Sequence, residues 1–252
     1  MYIRGVAKDL FLIAHRVMLR WKTPFSACLG APSGSGKSTW MLEFLKHLPD
    51  LVDSPIKHIV WCFGEESAIP SQVENNPAIR TYRGVPSEES GLFLPDTLLI
   101  LDDLMHSCYN ETVSLLFTQK CHHLRVSCFL ISQNIFHQSK HSRDISLSTQ
   151  YFILLKNIRD KGQFQHLARQ IYPENPKALC AAVSDAWTRP FSYIVLDLHP
   201  SSDDSCRFRS QIWPSDPYTV IYANPKSIEK LNNSEFAELT TGKKIIELPK
   251  VI

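Results

Sequence analysis

The sequence predicts an α/β fold of three layers, a mainly parallel central sheet flanked by helices. Three observations predict it. Apolar runs of strand length recur at Phe25 to Leu29, Lys57 to Phe63, Thr97 to Leu101, Val126 to Ile131 and Tyr151 to Leu155. Such near-continuous runs suit parallel strands buried on both faces. Segments with helical period lie between them, at Thr39 to Leu48 and Asn110 to His122, so strand and helix alternate. Finally, the first of these strands runs into a glycine-rich loop that opens a helix: Ala31-Pro32-Ser33-Gly34-Ser35-Gly36-Lys37-Ser38-Thr39.

Taken in order, residues 1 to 22 carry Arg4, Lys8, Arg16, Arg20 and Lys22 among apolar residues. Leu10, Ile13, Ala14, Val17 and Trp21 recur at helical spacing and predict an amphipathic helix with a solvated basic face docked on the core. The domain that follows is expected to span residues 23–214, with an irregular tail over 215–252.

The loop after Phe25 to Leu29 has the order strand, glycine-rich turn, helix that a phosphate-binding P-loop requires. Gly34 and Gly36 let the backbone turn so that successive N–H groups face an anion, and the helix N-terminus adds partial positive charge. Lys37 would reach the β- and γ-phosphates, and the Ser38 hydroxyl would ligate Mg²⁺. Ala31 stands where this motif usually has its first glycine, with Gly30 just before it.

Pro49 to Pro55 reads as a connector and Lys57 to Phe63 as a buried strand. Gly64 to Asn76 is polar and loop-like. Ala78 to Val85 can form a short strand, and Pro86 to Pro95 a second loop. Leu98-Leu99-Ile100-Leu101-Asp102-Asp103 then shows four apolar residues ending in two carboxylates. This is the Walker B pattern, in which a buried strand delivers acids to its C-terminal end beside the phosphate site. Asp102 would hold the Mg²⁺ shell, and Asp103 would orient or deprotonate the attacking water.

Val126 to Ile131 predicts another buried strand that ends in Ser132-Gln133-Asn134, and Gln133 is placed to sense a γ-phosphate or position water. Phe136 to Ser142 is a basic, histidine-rich loop followed by Arg143. Gln163 to Ile171 and Lys177 to Ala186 are helical by period, punctuated by Pro173 and Pro176. Tyr193 to Leu198 and Arg207 to Ile212 predict two further strands.

Composition bounds the rest. With 252 residues, 44% hydrophobic and 21% charged, the chain can build a full α/β core. Its net charge of +2 implies no bulk attraction to nucleic acid, so any DNA contact must be local. Seven cysteines, an odd number with no Cys-x-x-Cys pair, are expected as reduced, buried thiols of an intracellular protein. Cys121-His122-His123 with Cys128 has the residue types of a metal site but not its paired spacing. No apolar run approaches the length of a membrane span, and no secretory signal is apparent.

Together these residues resemble a known family. The P-loop APSGSGKST, the run LLILDDLM, the segment SQNIFHQ and above all SRDISLSTQYFILLKNIRDKGQFQHLARQIYP are similar to the genome-packaging ATPases of Polinton elements, adintoviruses and their relatives, in the poxvirus-like branch of the FtsK–HerA P-loop superfamily. The resemblance runs from about Phe25 to about Pro214 and takes in the FSYIVLDLHP and RFRSQIW continuation. It implies a RecA-like parallel sheet with an extra strand between P-loop and Walker B. It also implies a homo-oligomeric ring, often a hexamer, that spends ATP to drive double-stranded DNA into a preformed capsid. Lys37 and Ser38 match the P-loop pair, Asp102 the Mg²⁺ carboxylate and Gln133 the polar residue after Walker B. Arg143 matches the arginine that such rings present to a neighbour's γ-phosphate, with Arg159 in reserve. Two positions depart from the family pattern: Asp103 replaces a glutamate, and Ser146-Leu147-Ser148 stands where SLN is frequent.

The resulting expectation is an ATP- and Mg²⁺-dependent, sequence-independent DNA translocase that partners duplex DNA, its own copies and a capsid vertex or capsid protein. It is expected to work in the host compartment of virus assembly, without a membrane. Candidate DNA contacts are His137 to Arg143 and Gly64 to Asn76, which would touch phosphates. A helicase or AAA+-like remodeller, a small-nucleotide kinase and a non-hydrolysing scaffold are the alternatives.

Overall fold

The computed structural model describes residues 2–7, 10–15, 19–64, 69–104, 109–134, 140–157 and 161–223. In chain order it runs β1 (Tyr2–Ala7), β2 (Leu10–His15), β3 (Ser26–Gly30), α1 (Lys37–Lys46), α2 (Leu48–Leu51), β4 (His58–Phe63), α3 (Ser71–Glu74), β5 (Ile79–Arg83) and β6 (Thr97–Asp102). Then follow α4 (Glu111–Leu115), a π-helical stretch Leu116–Lys120, α5 (Cys121–His123), β7 (Val126–Ser132), α6 (Lys140–Ser148), β8 (Tyr151–Leu155), α7 (Lys161–Ile171), α8 (Pro176–Ala186), β9 (Tyr193–Asp197), β10 (Phe208–Ser210) and β11 (Thr219–Ala223). The chain divides into two compact units, Leu19–Asn157 and Met1–Met18 with Ile158–Ile252.

The first unit is an α/β layer structure, as expected. Its strands lie in the order β8-β3-β7-β6-β4-β5, and every adjacent pair is parallel. All residues of β3, β6, β7 and β8 are buried, which is why their sequences are continuous apolar runs rather than alternating ones. At the rim, β5 buries Ile79 but exposes Arg80, Thr81 and Arg83, and a charged edge resists pairing with another chain.

Trp40, Met41 and Phe44 form the buried stripe of α1. Phe44 meets an aromatic cluster in which Trp21 stacks on Tyr151 at 4.2 Å and Phe25 stands edge-on to Phe129 at 5.5 Å. Fully burying one such ring contributes on the order of 2 kcal/mol. The cluster fixes the base of β3, β7 and β8 and so the direction in which their far ends point.

The strand order positions the site. Strand β7 lies between β3, which feeds the glycine-rich loop, and β6, which ends in Asp102. The loop and the acids therefore leave the sheet at the same end, two strand spacings or about 10 Å apart.

In the second unit β1, β2, β11, β10 and β9 pair antiparallel in that order, accompanied by α7 and α8. Two expectations are corrected here. Residues 1 to 22 do not form an amphipathic helix: Tyr2–Ala7 and Leu10–His15 are strands. Strand β2 is hydrogen-bonded on both sides, by β1 and β11, and that pairing outweighs the helical spacing of a few apolar residues. The segment Leu10 to Ala14 is apolar at every position, which suits a strand at least as well. Nor is the tail irregular from Pro214, since Thr219–Ala223 is a fully buried strand rich in β-branched and aromatic residues. Residues 224–252 lie outside the described residues.

Three loops also prove partly ordered. Lys140 to Ser142 belong to α6 rather than to a basic loop, while residues 135–139 lie outside the described residues. Ser71–Glu74 is a helical turn within the expected polar loop, of which 65–68 are not described. Leu48–Leu51, which overlaps the start of the expected connector, is a short helix with its proline in the first turn, where the missing N–H does no harm. Among the described residues no helix is long and apolar enough to cross a membrane.

Candidate functional site

The glycine-rich loop departs from Gly30 at the end of β3. Its first peptide is held by the neighbouring strand, with the Ala31 N–H donating to the Ser132 carbonyl at 3.2 Å. Ala31 is 4% exposed and does not figure among the described residues with positive φ, so no glycine is needed there. Gly34 and Gly36 do adopt left-handed backbone, at φ 75° and 92°. A Cβ at Gly34 would meet nothing within 4 Å. Conformation, not crowding, is what selects glycine at that position.

The loop closes on itself. The Ser35 N–H donates to the Pro32 carbonyl at 3.4 Å, and the Ser35 hydroxyl donates to the same oxygen. Lys37 folds back, its ammonium donating to the carbonyls of Ala31 at 2.9 Å and Pro32 at 3.0 Å. Ser38 and Thr39 are exposed on the first turn of the ten-residue helix α1, where backbone N–H groups have no intrahelical partner. All nine residues expected to hold phosphates, Ala31 to Thr39, thus lie on one strand–loop–helix junction.

Asp102 is the last residue of β6, in register with Phe63 of β4 and Ile131 of β7. Its carboxyl is pushed up to about 6, first by burial and then by the charge of Asp103. The Lys37 charge and the indole N–H of Trp61 pull it partly back. Conversely, burial holds Lys37 below its ordinary value, while Asp103 and Asp102 draw it up. The three charges therefore share one electrostatic neighbourhood.

Asp103 is strained, with φ 42°. The last residues of β7 and the residue just past it hold it in that conformation at two points. Its N–H donates to the Ile131 carbonyl at 3.1 Å, and its carboxylate accepts from the Gln133 amide at 2.7 Å. Positive φ in a non-glycine residue persists only where surrounding bonds over-determine it. The bond between Asp103 and Gln133 joins the two residues expected to place water.

The donor set fits Mg²⁺. Ser38 offers an exposed hydroxyl and Asp102 a hard carboxylate, the oxygen donors such an ion takes. Among the described residues no group of three or more His, Cys, Asp or Glu can hold a metal by itself. The other metal candidate does not assemble: Cys121 and Cys128 are buried, whereas His122 and His123 are exposed.

Arg143 sits exposed on α6. Among the described residues it makes none of the hydrogen bonds that shape the loop or the acids. Arg159 and His137 lie outside the described residues. Sequence reasoning passed over Trp61, Ser132 and Tyr109. Ser132 supplies the carbonyl that receives the loop and, at its hydroxyl, meets Tyr109 at 3.0 Å. Ser132 was read only as the end of a strand and Tyr109 lies in no quoted motif, and the fold alone brings the two together.

No family model matches the chain, and no curated protein matches it. Among solved structures, the chain is similar to the genome packaging NTPase B204 from Sulfolobus turreted icosahedral virus 2. In complex with ATP-gammaS that protein is 14% identical, with a TM-score of 0.44 over 71% of this chain and 95% of that chain. In complex with AMPPCP it is 10% identical, with a TM-score of 0.45 over 71% and 94%. The N-terminal domain of zonular occludens toxin from Neisseria meningitidis is 10% identical, with a TM-score of 0.32 over 55% of this chain and 80% of that chain.

Proposed function

We propose that the chain is an ATPase whose nucleotide lies across the C-terminal ends of β3, β7 and β6, and that it uses hydrolysis to move duplex DNA into a viral or virus-like capsid. One observation carries the catalytic part: Lys37, Asp102 and Asp103 converge beside a left-handed glycine loop at the end of a parallel sheet. The loop N–H groups and the start of α1 bind phosphate oxygens. Lys37 exchanges its two carbonyl partners for the terminal phosphates, an exchange its partly desolvated ammonium favours. Ser38 and Asp102 would hold Mg²⁺, which would supply positive charge to the nucleotide's phosphates. Asp103 and Gln133, already paired, orient the attacking water.

The motor part rests on the family resemblance of the residues quoted above. It supports duplex DNA as a sequence-independent partner, a homo-oligomeric ring such as a hexamer with Arg143 acting across its interface, a capsid docking site and action where virions assemble. The chemistry is that of phosphoryl transfer to water, in which positioning and charge stabilisation carry nearly all of the catalysis.

Lys37→Ala tests the site. ATP turnover is expected to fall by about 10²–10³, the scale of losing one preorganised charge-stabilising donor. Turnover that survives the substitution unaltered overturns the assignment. Duplex DNA that stimulates turnover and is translocated supports the motor; strand unwinding, or phosphate transferred to a nucleotide acceptor, replaces it with a helicase or a kinase.

A further inference from the structure

The end of β7 and the two residues past it contact the loop and the acids within four residues. The Ile131 carbonyl receives the Asp103 N–H, the Ser132 carbonyl receives the Ala31 N–H, and the Gln133 amide holds the Asp103 carboxylate. The fourth contact leads away from the chemistry. The Asn134 carbonyl accepts from the Tyr109 hydroxyl at 2.5 Å, and the same hydroxyl lies 3.0 Å from the Ser132 hydroxyl. Ser132 and Asn134 also bond one another, the Asn134 N–H donating to Ser132 Oγ at 3.2 Å and Oγ lying 3.0 Å from the Asn134 carbonyl.

Tyr109 is 8% exposed and stands directly before Asn110, whose side chain caps α4 by accepting from the Val113 N–H at 2.9 Å. The phenol is thus anchored on the helix that follows the acids and reaches both neighbours of Gln133. A buried hydroxyl inside a closed network is geometrically over-determined. Gln133 itself is exposed, and the bracket at 132 and 134 engages the residues on either side of it.

We propose that Tyr109 is a positioning residue for hydrolysis: by tying Ser132 and Asn134 to the start of α4, it sets the Gln133 amide against Asp103 and so the place of the attacking water. This rests on the functional reading above. Tyr109 touches neither nucleotide nor metal in this account and acts through Gln133. The same bond gives α4 a direct line to the pair that orients the water, so displacement of that helix reaches the chemical step through one hydroxyl.

Tyr109→Phe keeps the ring and removes the hydroxyl. It is to be assayed beside wild type, Lys37→Ala, Gln133→Ala and the double variant Tyr109→Phe with Gln133→Ala, on the full chain with MgATP. The expected result is a kcat lowered about tenfold or more, the scale of a mispositioned catalytic group. KM for ATP, affinity for a fluorescent ATP analogue and thermal midpoint should stay near wild type. The double variant should be no slower than Gln133→Ala alone, because both changes disable one unit. Equal kcat in Tyr109→Phe and wild type overturns the inference. So does additive loss in the double variant, or a fall in affinity and midpoint that accounts for the lost rate. An active wild type silenced by Lys37→Ala with Tyr109→Phe unaffected removes this inference alone; a wild type without ATP turnover removes the functional reading and this inference with it.

Discussion

A buried acid at the end of a strand is a local cost to stability. The folded-state value of Asp102, about 6, lies above its ordinary 3.8. A raised carboxyl pKa means that the folded protein holds its proton longer than the unfolded chain does. Stability associated with this group therefore declines as pH rises from about 4 through about 6, and the full penalty persists above that window. The shift corresponds to about 3 kcal/mol as an order of magnitude. Asp102→Asn is expected to raise the thermal midpoint at about pH 8, with the gain shrinking toward about pH 4, while MgATP turnover collapses. Differential scanning across that range, with a turnover assay at the upper end, checks both halves. A variant less stable than wild type at the upper pH contradicts the account. In the same way, Mg²⁺ must compete with a proton at Asp102 below about pH 6, so turnover should weaken there. Lys37, Ser38, Asp102 and Gln133 could be nominated from the sequence because each sits in a short local pattern, and the fold brings the loop and the acids to one end of the sheet. The Asp103–Gln133 bond and the Tyr109 bracket could not, since their members lie 30, 23 and 25 residues apart and meet only through strand order.

Elements were legible to the extent that their environment is one-dimensional. Strands β3, β4, β6, β7 and β8 are bounded almost as their apolar runs predict, because a strand covered on both faces must be apolar throughout. Helices α7 and α8 follow from period. The N-terminal strands failed that test. Apolar residues at Leu10, Ile13 and Ala14 satisfy a helical template, and what overrules it is β11, about 200 residues away in sequence. The tail was misread for the matching reason, since the partners of β11 are β2 and β10. In this unit, adjacent strands β9 and β10 carry the ion pair Asp197–Arg209 at 2.6 Å, with the side chains 3% and 2% exposed. Here one partner without the other is the damaging state. Arg209→Met should destabilise by about 3–5 kcal/mol, because it leaves an uncompensated carboxylate in the interior. Replacing both residues by apolar ones of similar volume should recover much of that loss. Denaturant titration of the single and double variants decides it, and a mild single variant would show that the pair is better solvated than its exposure indicates.

At the scale of the whole molecule, a net charge of +2 provides no bulk attraction to nucleic acid, so the proposed DNA and subunit contacts must be local. Arg143 is where that argument becomes testable. It is exposed on α6, and the C-terminal end of that helix is tied to the base of the P-loop strand. The Ser26 hydroxyl donates to the Ser148 carbonyl at 2.5 Å, the Gln150 N–H donates to the Ser26 carbonyl at 2.9 Å, and Cys28 and Thr149 lie in contact at 3.2 Å. A residue displayed on an element rooted this way is rigidly referenced to its own loop yet free to face another copy. If Arg143 completes a neighbour's site, an isolated protomer hydrolyses ATP poorly, since an arginine supplied in trans contributes about 10³–10⁵ in rate. Specific activity should then rise with protein concentration and with duplex DNA. Arg143→Ala and Lys37→Ala protomers should each be nearly inactive, but their mixture should regain activity. In a mixed assembly, an Arg143→Ala protomer with an intact Lys37 can borrow Arg143 from a Lys37→Ala neighbour. A mixture no more active than its components, at concentrations where they associate, would place Arg143 in its own protomer's site or outside the chemistry altogether.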